Sequence, residues 1–320
     1  MDKYLITGFS GFVSKHFLEY LDTLDSPVTV LGMDINEPSF SFTHYRHVTC
    51  KFHKIDLLNK IEVDNLLYTY QPTYVLHLAS YSSVAFSWKN PLASFSNNTN
   101  IFLNVLEQIR VLNLKCRVLS VGSSEEYGNV TPADVPLTEA SPLKPISPYA
   151  VARVSQELLS KVYVEGFGQD IILTRSFNHI GPGQGDIFVI SSFAKQLVEI
   201  KKYKKKPEII TGNLSIIRDF LDVRDVVKAY HDLFEKGRKG EAYNICSGTG
   251  VSLETVIHQM AHQLHLTITT HTDPNLVRPN DNAIIVGSNQ KIVQETGWHP
   301  SYTLKQSLND ILDYWEGQLG

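Results

Sequence analysis

The chain has 320 residues, a formal net charge of −4, and 42% hydrophobic and 19% charged residues, a balance that excludes a disordered or fibrous protein. A slightly acidic chain has no general attraction for nucleic acid or for an anionic membrane. No apolar run approaches the roughly 20 residues that span a bilayer. Three widely spaced cysteines predict neither a disulfide framework nor a metal site. We therefore expect a cytoplasmic protein without a nucleic-acid, membrane or metal partner.

Short apolar runs alternate with amphipathic segments through the first half of the chain. The predicted strands are 3–7, 28–33, 74–78, 117–122 and 171–176, and the predicted helices are 12–24, 61–70, 99–112 and 149–166. This alternation predicts right-handed βαβ units and an α/β fold with a Rossmann-type, doubly wound parallel sheet.

The regular alternation stops after residue 176. Residues 177–217 are rich in Gly, Pro and Asn around a helix near 191–202, and residues 247–320 mix short strands with helices. We predict a dinucleotide-binding domain at 1–176, with a return segment at about 218–246. A smaller mixed α/β domain at 177–217 and 247–320 is expected to bind the substrate, with the cleft between the two.

A glycine-containing loop, TGFSGFVS, joins the first predicted strand to the first predicted helix. Gly8 permits a tight turn, and Gly11 lets backbone N–H groups approach a pyrophosphate at the positive end of the helix. Ser14 takes the place of a third glycine and is small enough for close helix–strand packing. The predicted cofactor contacts in this loop are Gly8, Phe9, Ser10, Gly11, Phe12 and Val13.

Asp34 follows the second predicted strand. A carboxylate at this point accepts hydrogen bonds from the adenosine ribose hydroxyls and repels a 2′-phosphate. The sequence therefore predicts NAD(H) in preference to NADP(H), with NADP(H) as the alternative. Asp56 and Leu57 follow another short apolar segment and are expected to flank the adenine.

Tyr149 and Arg153 lie four residues apart on a predicted helix that starts at Ser147 and Pro148, so they share one face. A cation beside a phenol stabilises the phenolate, and such a tyrosine can exchange a proton with a sugar hydroxyl or carbonyl. Ser123 follows a predicted strand and can hydrogen-bond the same oxygen. Tyrosine–arginine pairs at this spacing also occur on solvated helices, so the catalytic interpretation depends on the glycine loop.

The order TGFSGFVS, Asp34, HLAS, GSSEEYG and SPYAVAR resembles the extended short-chain dehydrogenase/reductase superfamily, the NAD-dependent epimerase/dehydratase family. The resemblance implies a Rossmann-type NAD(P) domain, a C-terminal sugar-nucleotide domain and a catalytic Ser/Thr–Tyr–Lys set, to which Ser123 and Tyr149 correspond. The HLAS motif adds further implied cofactor contacts at Leu78, Ala79 and Ser80.

Arg153 departs from the superfamily pattern, which has lysine at this position. Arginine keeps the positive charge and can donate to the nicotinamide ribose, but it does not readily deprotonate, which excludes a relay through a neutral lysine. Tyr149 and Arg153 are therefore implied to contact the cofactor as well as to take part in catalysis. Replacing Arg153 with lysine is expected to keep or raise activity, because it restores the usual residue.

Five later motifs, RSFNHIGPGQ, FVISSFAKQ, GNLSIIRDFLDVRDVVKAY, AYNICSG and VRPND, are similar in order to GDP-6-deoxy-D-mannose reductases. This resemblance implies that Asn178 contacts the sugar or its phosphate and that Arg218 and Arg278 hold the diphosphate. Guanidinium groups suit phosphate oxygens. Further implied substrate contacts are Ser83, Phe188, Val189 and Lys195.

The leading hypothesis is NAD(P)H-dependent reduction of the 4-keto group of a nucleotide-linked 4-keto-6-deoxyhexose, with GDP favoured. Tyr149 would protonate the alkoxide and Ser123 would polarise the carbonyl. The alternatives are a GDP-mannose 4,6-dehydratase, for which Glu125 would abstract the C5 proton, and a sugar-nucleotide 4-epimerase. Arg153 and Ser14 leave open a degenerate nucleotide-sugar-binding protein.

Apolar residues on more than one face of the predicted helices 99–112 and 149–166 also bear on assembly. One face must pack on the sheet, and the other is free to pair with a symmetry mate as a four-helix bundle, as in the superfamily. We therefore expect a twofold homodimer.

Overall fold

The structure is a computed structural model, which describes residues 1–277 and 282–320. Its strands, in chain order, are β1 (Asp2–Thr7), β2 (Val28–Asp34), β3 (Val48–Lys54), β4 (Tyr74–His77), β5 (Arg117–Ser123), β6 (Asp170–Ser176), β7 (Asn178–Ile180), β8 (Glu208–Thr211), β9 (Ile217–Asp222), β10 (Ala242–Ile245), β11 (Gly250–Ser252), β12 (Thr269–Thr272) and β13 (Ile284–Ile285).

The α-helices are α1 (Phe12–Asp22), α2 (Lys60–Tyr70), α3 (Val84–Lys89), α4 (Pro91–Val111), α5 (Pro148–Phe167), α6 (Val189–Tyr203), α7 (Val223–Lys236), α8 (Leu253–Gln263), α9 (Gln290–Thr296) and α10 (Leu304–Gln318), with 3₁₀ turns at Ser124–Tyr127 and Pro274–Leu276. Within the described part of the chain, no helix is both long and apolar enough to cross a membrane.

A parallel sheet of seven strands, in the order β10-β6-β5-β4-β1-β2-β3, confirms the predicted Rossmann-type fold. β1, an interior strand of this sheet, packs against apolar residues on both faces. Tyr4 and Ile6 belong to the core beneath α1 and α7, whereas Leu5 belongs to the opposite core beneath α2, α4 and α5. Successive residues of the strand therefore face opposite sides of the sheet, and both sides are apolar. This is why buried parallel strands appear in the sequence as continuous apolar runs.

The chain leaves this sheet after β6. β9 lies at the centre of a second, four-stranded sheet with β7, β11 and β13, and β8 pairs with β12. Helices α6, α8 and α10 enclose a separate apolar core beside this second sheet. β10 then returns to the edge of the first sheet beside β6. The mixed architecture of the C-terminal part agrees with the sequence, and the division at 177–217 and 247–320 stays a prediction.

Several elements differ from the sequence-based expectation, among them β3, α3, the start of α4 and β10. β3 was not predicted, because as an edge strand it carries the polar or charged residues Thr49, Lys51 and His53 on an exposed face. α4 begins at Pro91 rather than near residue 99. Its first turns contain few apolar residues, but Asn98 is buried and pairs with the backbone of Tyr81 through both amide atoms, at 2.7 and 3.2 Å.

Candidate active site

The glycine loop lies where the first strand meets the first helix. Gly8 has a φ of 70°, and a Cβ there would lie 2.7 Å from the amide nitrogen of Ala79. Gly11 is the N-cap of α1, and no described side chain caps this helix start. Uncapped N–H groups at a helix start form a site for an anion. Ser14, at the third glycine position, is buried and donates its hydroxyl to the carbonyl of Gly8 at 3.2 Å.

Asp34 joins the glycine loop to the end of β2. Its Oδ2 accepts the N–H of Ser10 at 2.9 Å, and its Oδ1 accepts the N–H of Asn36 at 3.0 Å. Each carboxylate oxygen has a second lone pair, so the group can also accept from ribose hydroxyls. The structure therefore fits a dinucleotide at this edge of the sheet.

The other predicted cofactor contacts meet at the same edge. The N–H of Leu78 donates to the carbonyl of Thr7 at 3.1 Å, which holds the segment with Ala79 and Ser80 against the glycine loop. Asp56 accepts the N–H of Leu58 at 2.9 Å, so its carboxylate caps the turn that follows β3. Leu57 is buried, and only its neighbours are exposed.

Tyr149 and Arg153 both lie on the buried face of α5, close to its start. The Nε of Arg153 donates to the phenol oxygen of Tyr149 at 3.2 Å. Nη2 donates to Ser80 at 2.5 Å, and Nη1 donates to the carbonyl of Val121 at 3.0 Å and to Gln156 at 2.7 Å. The guanidinium is thus held in one orientation, with a positive charge directly beside the phenol oxygen.

Ser123 is the last residue of β5 and caps the following 3₁₀ turn. Its hydroxyl oxygen accepts the N–H of Glu125 at 3.2 Å, so its own hydrogen is left to donate to a substrate oxygen. Glu125 is half-buried in this turn. The structure therefore brings Glu125 next to Ser123, as the sequence order required.

A buried carboxylate pair lies beneath Ser123 and was not predicted. The Oε1 of Glu126 accepts the N–H of Ser123 at 2.7 Å. Burial and then the neighbouring Glu157 raise the pKa of Glu126 well above its usual range. Burial alone would also raise the pKa of Glu157, but its hydrogen bonds from Arg175, at 2.8 and 2.9 Å, hold that pKa low. Because Glu157 and Arg175 are distant in sequence from Glu126, no local pattern indicated this pair.

The substrate-side predictions converge on β7 and β9, which pair in parallel. The amide of Asn178 donates to the carbonyl of Asp219 at 3.4 Å, and Arg218 is buried and donates to the carbonyl of Asn282 at 2.7 Å. Asp219, which was not predicted, accepts from Ser247 and from two backbone amides of neighbouring loops. Arg278 lies outside the described residues.

The remaining substrate predictions are more dispersed. Phe188 is the N-cap of α6 and Val189, its first residue, is 38% exposed. Lys195 of the same helix pairs with Asp186 at 2.6 Å. Ser83 caps α3 by accepting the N–H of Phe86 at 3.2 Å. None of these residues contacts the Tyr149–Arg153 pair among the described hydrogen bonds.

A glycine loop at an uncapped helix start, an aspartate at the end of β2, and a tyrosine beside a fixed cation on the helix after a serine-ended strand occur together here. This combination defines a short-chain dehydrogenase/reductase of the extended type.

The comparisons with known proteins agree with this class. A family model described as GDP-mannose 4,6 dehydratase matches residues 5–311. GDP-6-deoxy-D-mannose reductase from Pseudomonas aeruginosa is 33% identical over 316 residues, covering 98% of this chain and 97% of the relative. GDP-mannose 4,6-dehydratase from Vibrio cholerae is 26% identical over 348 residues, covering 96% and 92%. A solved structure of RMD from Pseudomonas aeruginosa, complexed with NADPH, is also similar, with a TM-score of 0.87 and 31% sequence identity. The match covers 99% of this chain and 100% of that chain. The chain belongs to the GDP-mannose 4,6-dehydratase family.

Proposed function

We propose that the chain is an NAD(P)H-dependent reductase of the 4-keto group of a nucleotide-linked 4-keto-6-deoxyhexose, with GDP as the favoured nucleotide. The observation that carries the proposal is the buried contact between Arg153 and Tyr149 at 3.2 Å, beside Ser123 and the glycine loop. Similarity to GDP-6-deoxy-D-mannose reductase over nearly the whole chain supports the choice of substrate.

The reaction needs a hydride and a proton. Bound reduced nicotinamide supplies a hydride to carbonyl carbons. Ser123 donates its free hydroxyl hydrogen to the keto oxygen and so stabilises the negative charge that develops there. The phenol of Tyr149 gives the proton to this oxygen. The fixed guanidinium of Arg153 then stabilises the negative charge left on Tyr149, and it does so without changing its own protonation state.

The nucleotide is expected to bind between the two sheets. Arg218 would hold the diphosphate, with Arg278 as its predicted partner, and Asn178 would contact the sugar or its phosphate. Asp219 supports this region because it connects β9 to the loop at Ser247. These assignments rest on the family resemblance, and two of the residues, Asn178 and Arg218, lie on the paired strands β7 and β9.

A GDP-mannose 4,6-dehydratase is the second candidate, because Glu125 stands two residues after Ser123 and is half-buried at the start of the same turn. The two functions differ in cofactor balance. A reductase consumes one NAD(P)H for each sugar reduced, whereas a dehydratase or epimerase retains its dinucleotide through turnover. We expect stoichiometric loss of NAD(P)H absorbance with GDP-4-keto-6-deoxymannose. Turnover of GDP-mannose without net NAD(P)H loss would instead establish the dehydratase.

A homodimer is the proposed assembly, and the cytoplasm the proposed compartment. Val151, Leu158 and Val162 share one face of α5 and are 42%, 54% and 56% exposed, an apolar stripe that a symmetry mate would cover. The three cysteines are free thiols, as is usual for a reducing compartment. Light scattering at micromolar concentration should give the mass of two chains. The mass of a single chain would contradict the proposal.

A further inference from the structure

The side chain of Arg153 uses nearly all of its hydrogen-bonding capacity inside the protein. A guanidinium has five N–H groups, and four of those of Arg153 donate to Tyr149, Val121, Gln156 and Ser80. These acceptors belong to α5, β5 and the loop after β4. The remaining N–H, on Nη2, is the donor left for a bound dinucleotide.

Gln156 lies on the same helix as Arg153 and is only 1% exposed. Its amide oxygen accepts a hydrogen bond from Nη1 of Arg153 at 2.7 Å. Its Nε2 donates to the hydroxyl of Ser120 at 2.9 Å and to the carbonyl of Val121 at 3.1 Å. Ser120 also accepts from Ser160 at 3.2 Å. Two acceptors therefore fix the amide nitrogen, so the amide oxygen must face Arg153.

A lysine could not take over these contacts. Its ammonium has three donors on one nitrogen, whereas the acceptors of Arg153 are contacted by three different nitrogens of a planar group. With lysine, the buried oxygen of Gln156 would lose its partner, and an unpaired buried acceptor is unfavourable. From these contacts we expect Arg153→Lys to lower activity, contrary to the sequence-based expectation that it keeps or raises it.

We propose that Gln156 is a positioning residue that adapts the catalytic helix to arginine. It holds Nη1, so that Nε points at Tyr149 and Nη2 stays at Ser80. The role of Gln156 in turnover rests on the proposed reductase function. Its role in holding Arg153 does not, because the same contacts orient the donor for the cofactor.

A double-mutant cycle with Gln156→Leu and Arg153→Lys tests the coupling, with two readouts: the dissociation constant of NADH from fluorescence titration, and turnover. Gln156→Leu alone should weaken NADH binding several-fold and lower turnover by about tenfold, the usual effect of losing a hydrogen bond to a charged group. Arg153→Lys alone should do the same. The double variant should be no worse than Arg153→Lys, because Gln156 acts only through the guanidinium.

The matched control is Gln108→Leu. Gln108 is also 1% exposed, but it lies on α4 and donates to Asn104 at 3.3 Å. It should leave both readouts within about twofold of the parent, because it does not contact Arg153. If Gln156→Leu fails to fold, as judged by circular dichroism, Gln156→Met removes the same amide while keeping its length.

The proposal is overturned if Gln156→Leu matches the control, or if the two single losses multiply in the double variant. The NADH cycle requires no sugar. A parent protein that binds NADH but reduces no sugar nucleotide would therefore remove the proposed function and still leave the coupling between Gln156 and Arg153 measurable.

Discussion

The proposed cofactor side and the proposed substrate side of the cleft are held together in different ways. On the cofactor side, Gly8 and Ser10 bond to Met33 and Asp34 within one strand–helix–strand unit. On the substrate side, the carboxylate of Asp219 connects β9 to three backbone amides in two distant loops, at Ser247, Gly248 and Gly287. One side is therefore a local motif formed mainly by backbone, whereas the other joins segments that are distant in sequence, partly through a buried carboxylate.

This difference predicts separable losses. Damage to the loop at Gly8 should affect the cofactor alone, and damage at Asp219 should affect the sugar nucleotide alone. Tyr149 lies on α5 and takes part in neither of these two sets of hydrogen bonds.

Removing the proton donor should have the largest effect. Tyr149→Phe keeps the ring on α5 and removes only the hydroxyl, so turnover should fall by about 10²–10⁴-fold. Calorimetric titration should show nearly unchanged NADH binding, because the glycine loop and Asp34 remain. A Phe variant that turns over at the parent rate would show that the catalytic helix is wrongly assigned.

Asp219→Asn tests the substrate side. An amide replaces one acceptor oxygen by a donor, so at least one N–H from Ser247, Gly248 or Gly287 loses its partner in a buried site. We expect the KM for the sugar nucleotide to rise by about tenfold or more, with the dissociation constant of NADH unchanged. An equal loss of NADH affinity would mean that Asp219 supports the whole fold rather than this side.

Gly8→Ala is the corresponding test of the cofactor side. The φ of 70° is unfavourable for alanine, and its Cβ would collide with the backbone at Ala79. Strain of this kind weakens binding by about tenfold or more, here of NADH, while binding of GDP-mannose should persist. A variant that binds NADH normally would show that the loop adapts and is not preformed.

Asp34→Ala should have a smaller effect, on cofactor choice. In the unaltered protein, the carboxylate of Asp34 should make NADH bind more tightly than NADPH. Alanine removes the repulsion of the 2′-phosphate, so the ratio of the two dissociation constants should narrow to a few-fold. Parallel fluorescence titrations with both cofactors measure this. The similar RMD structure contains NADPH, so tighter NADPH binding by the unaltered protein is the outcome that would refute the preference.

Glu126→Gln should change stability rather than either binding side. Because the folded chain raises the pKa of Glu126 from 4.5, the carboxyl keeps its proton where the unfolded chain has lost it. Its contribution to stability is therefore complete below that ordinary value and is lost as the pH rises toward the raised pKa. Gln mimics the protonated form, so it should add roughly 1–2 kcal/mol at about pH 8 and much less at about pH 5.

Thermal melts at the two pH values measure this difference. The exposed Glu165→Gln on α5 is the control and should change neither melt. Equal stabilisation by Glu126→Gln at both pH values would show that Glu126 is ionised in the folded protein, contrary to the prediction.

Among the strands of residues 1–176, the sequence predicted those that have two apolar faces and missed β3, which does not. The central strands, such as β1, are buried on both sides and appear as apolar runs. β3 at the sheet edge, and the start of α4 with Asn98, are stabilised by partners that are distant in sequence, so their own composition does not indicate them.

The sequence by itself determined the glycine loop, Asp34, and the spacing of Tyr149 and Arg153, because each depends on neighbours within one turn, strand or helix. Only the tertiary structure decided that Ser120 and Val121 of β5 fix the amide of Gln156, that Glu126 lies against Glu157, and that Asp219 connects β9 to the loops at Ser247 and Gly287. The physical reason is burial. A buried polar group must find its partner wherever packing brings one within hydrogen-bonding distance, and sequence separation does not limit that choice.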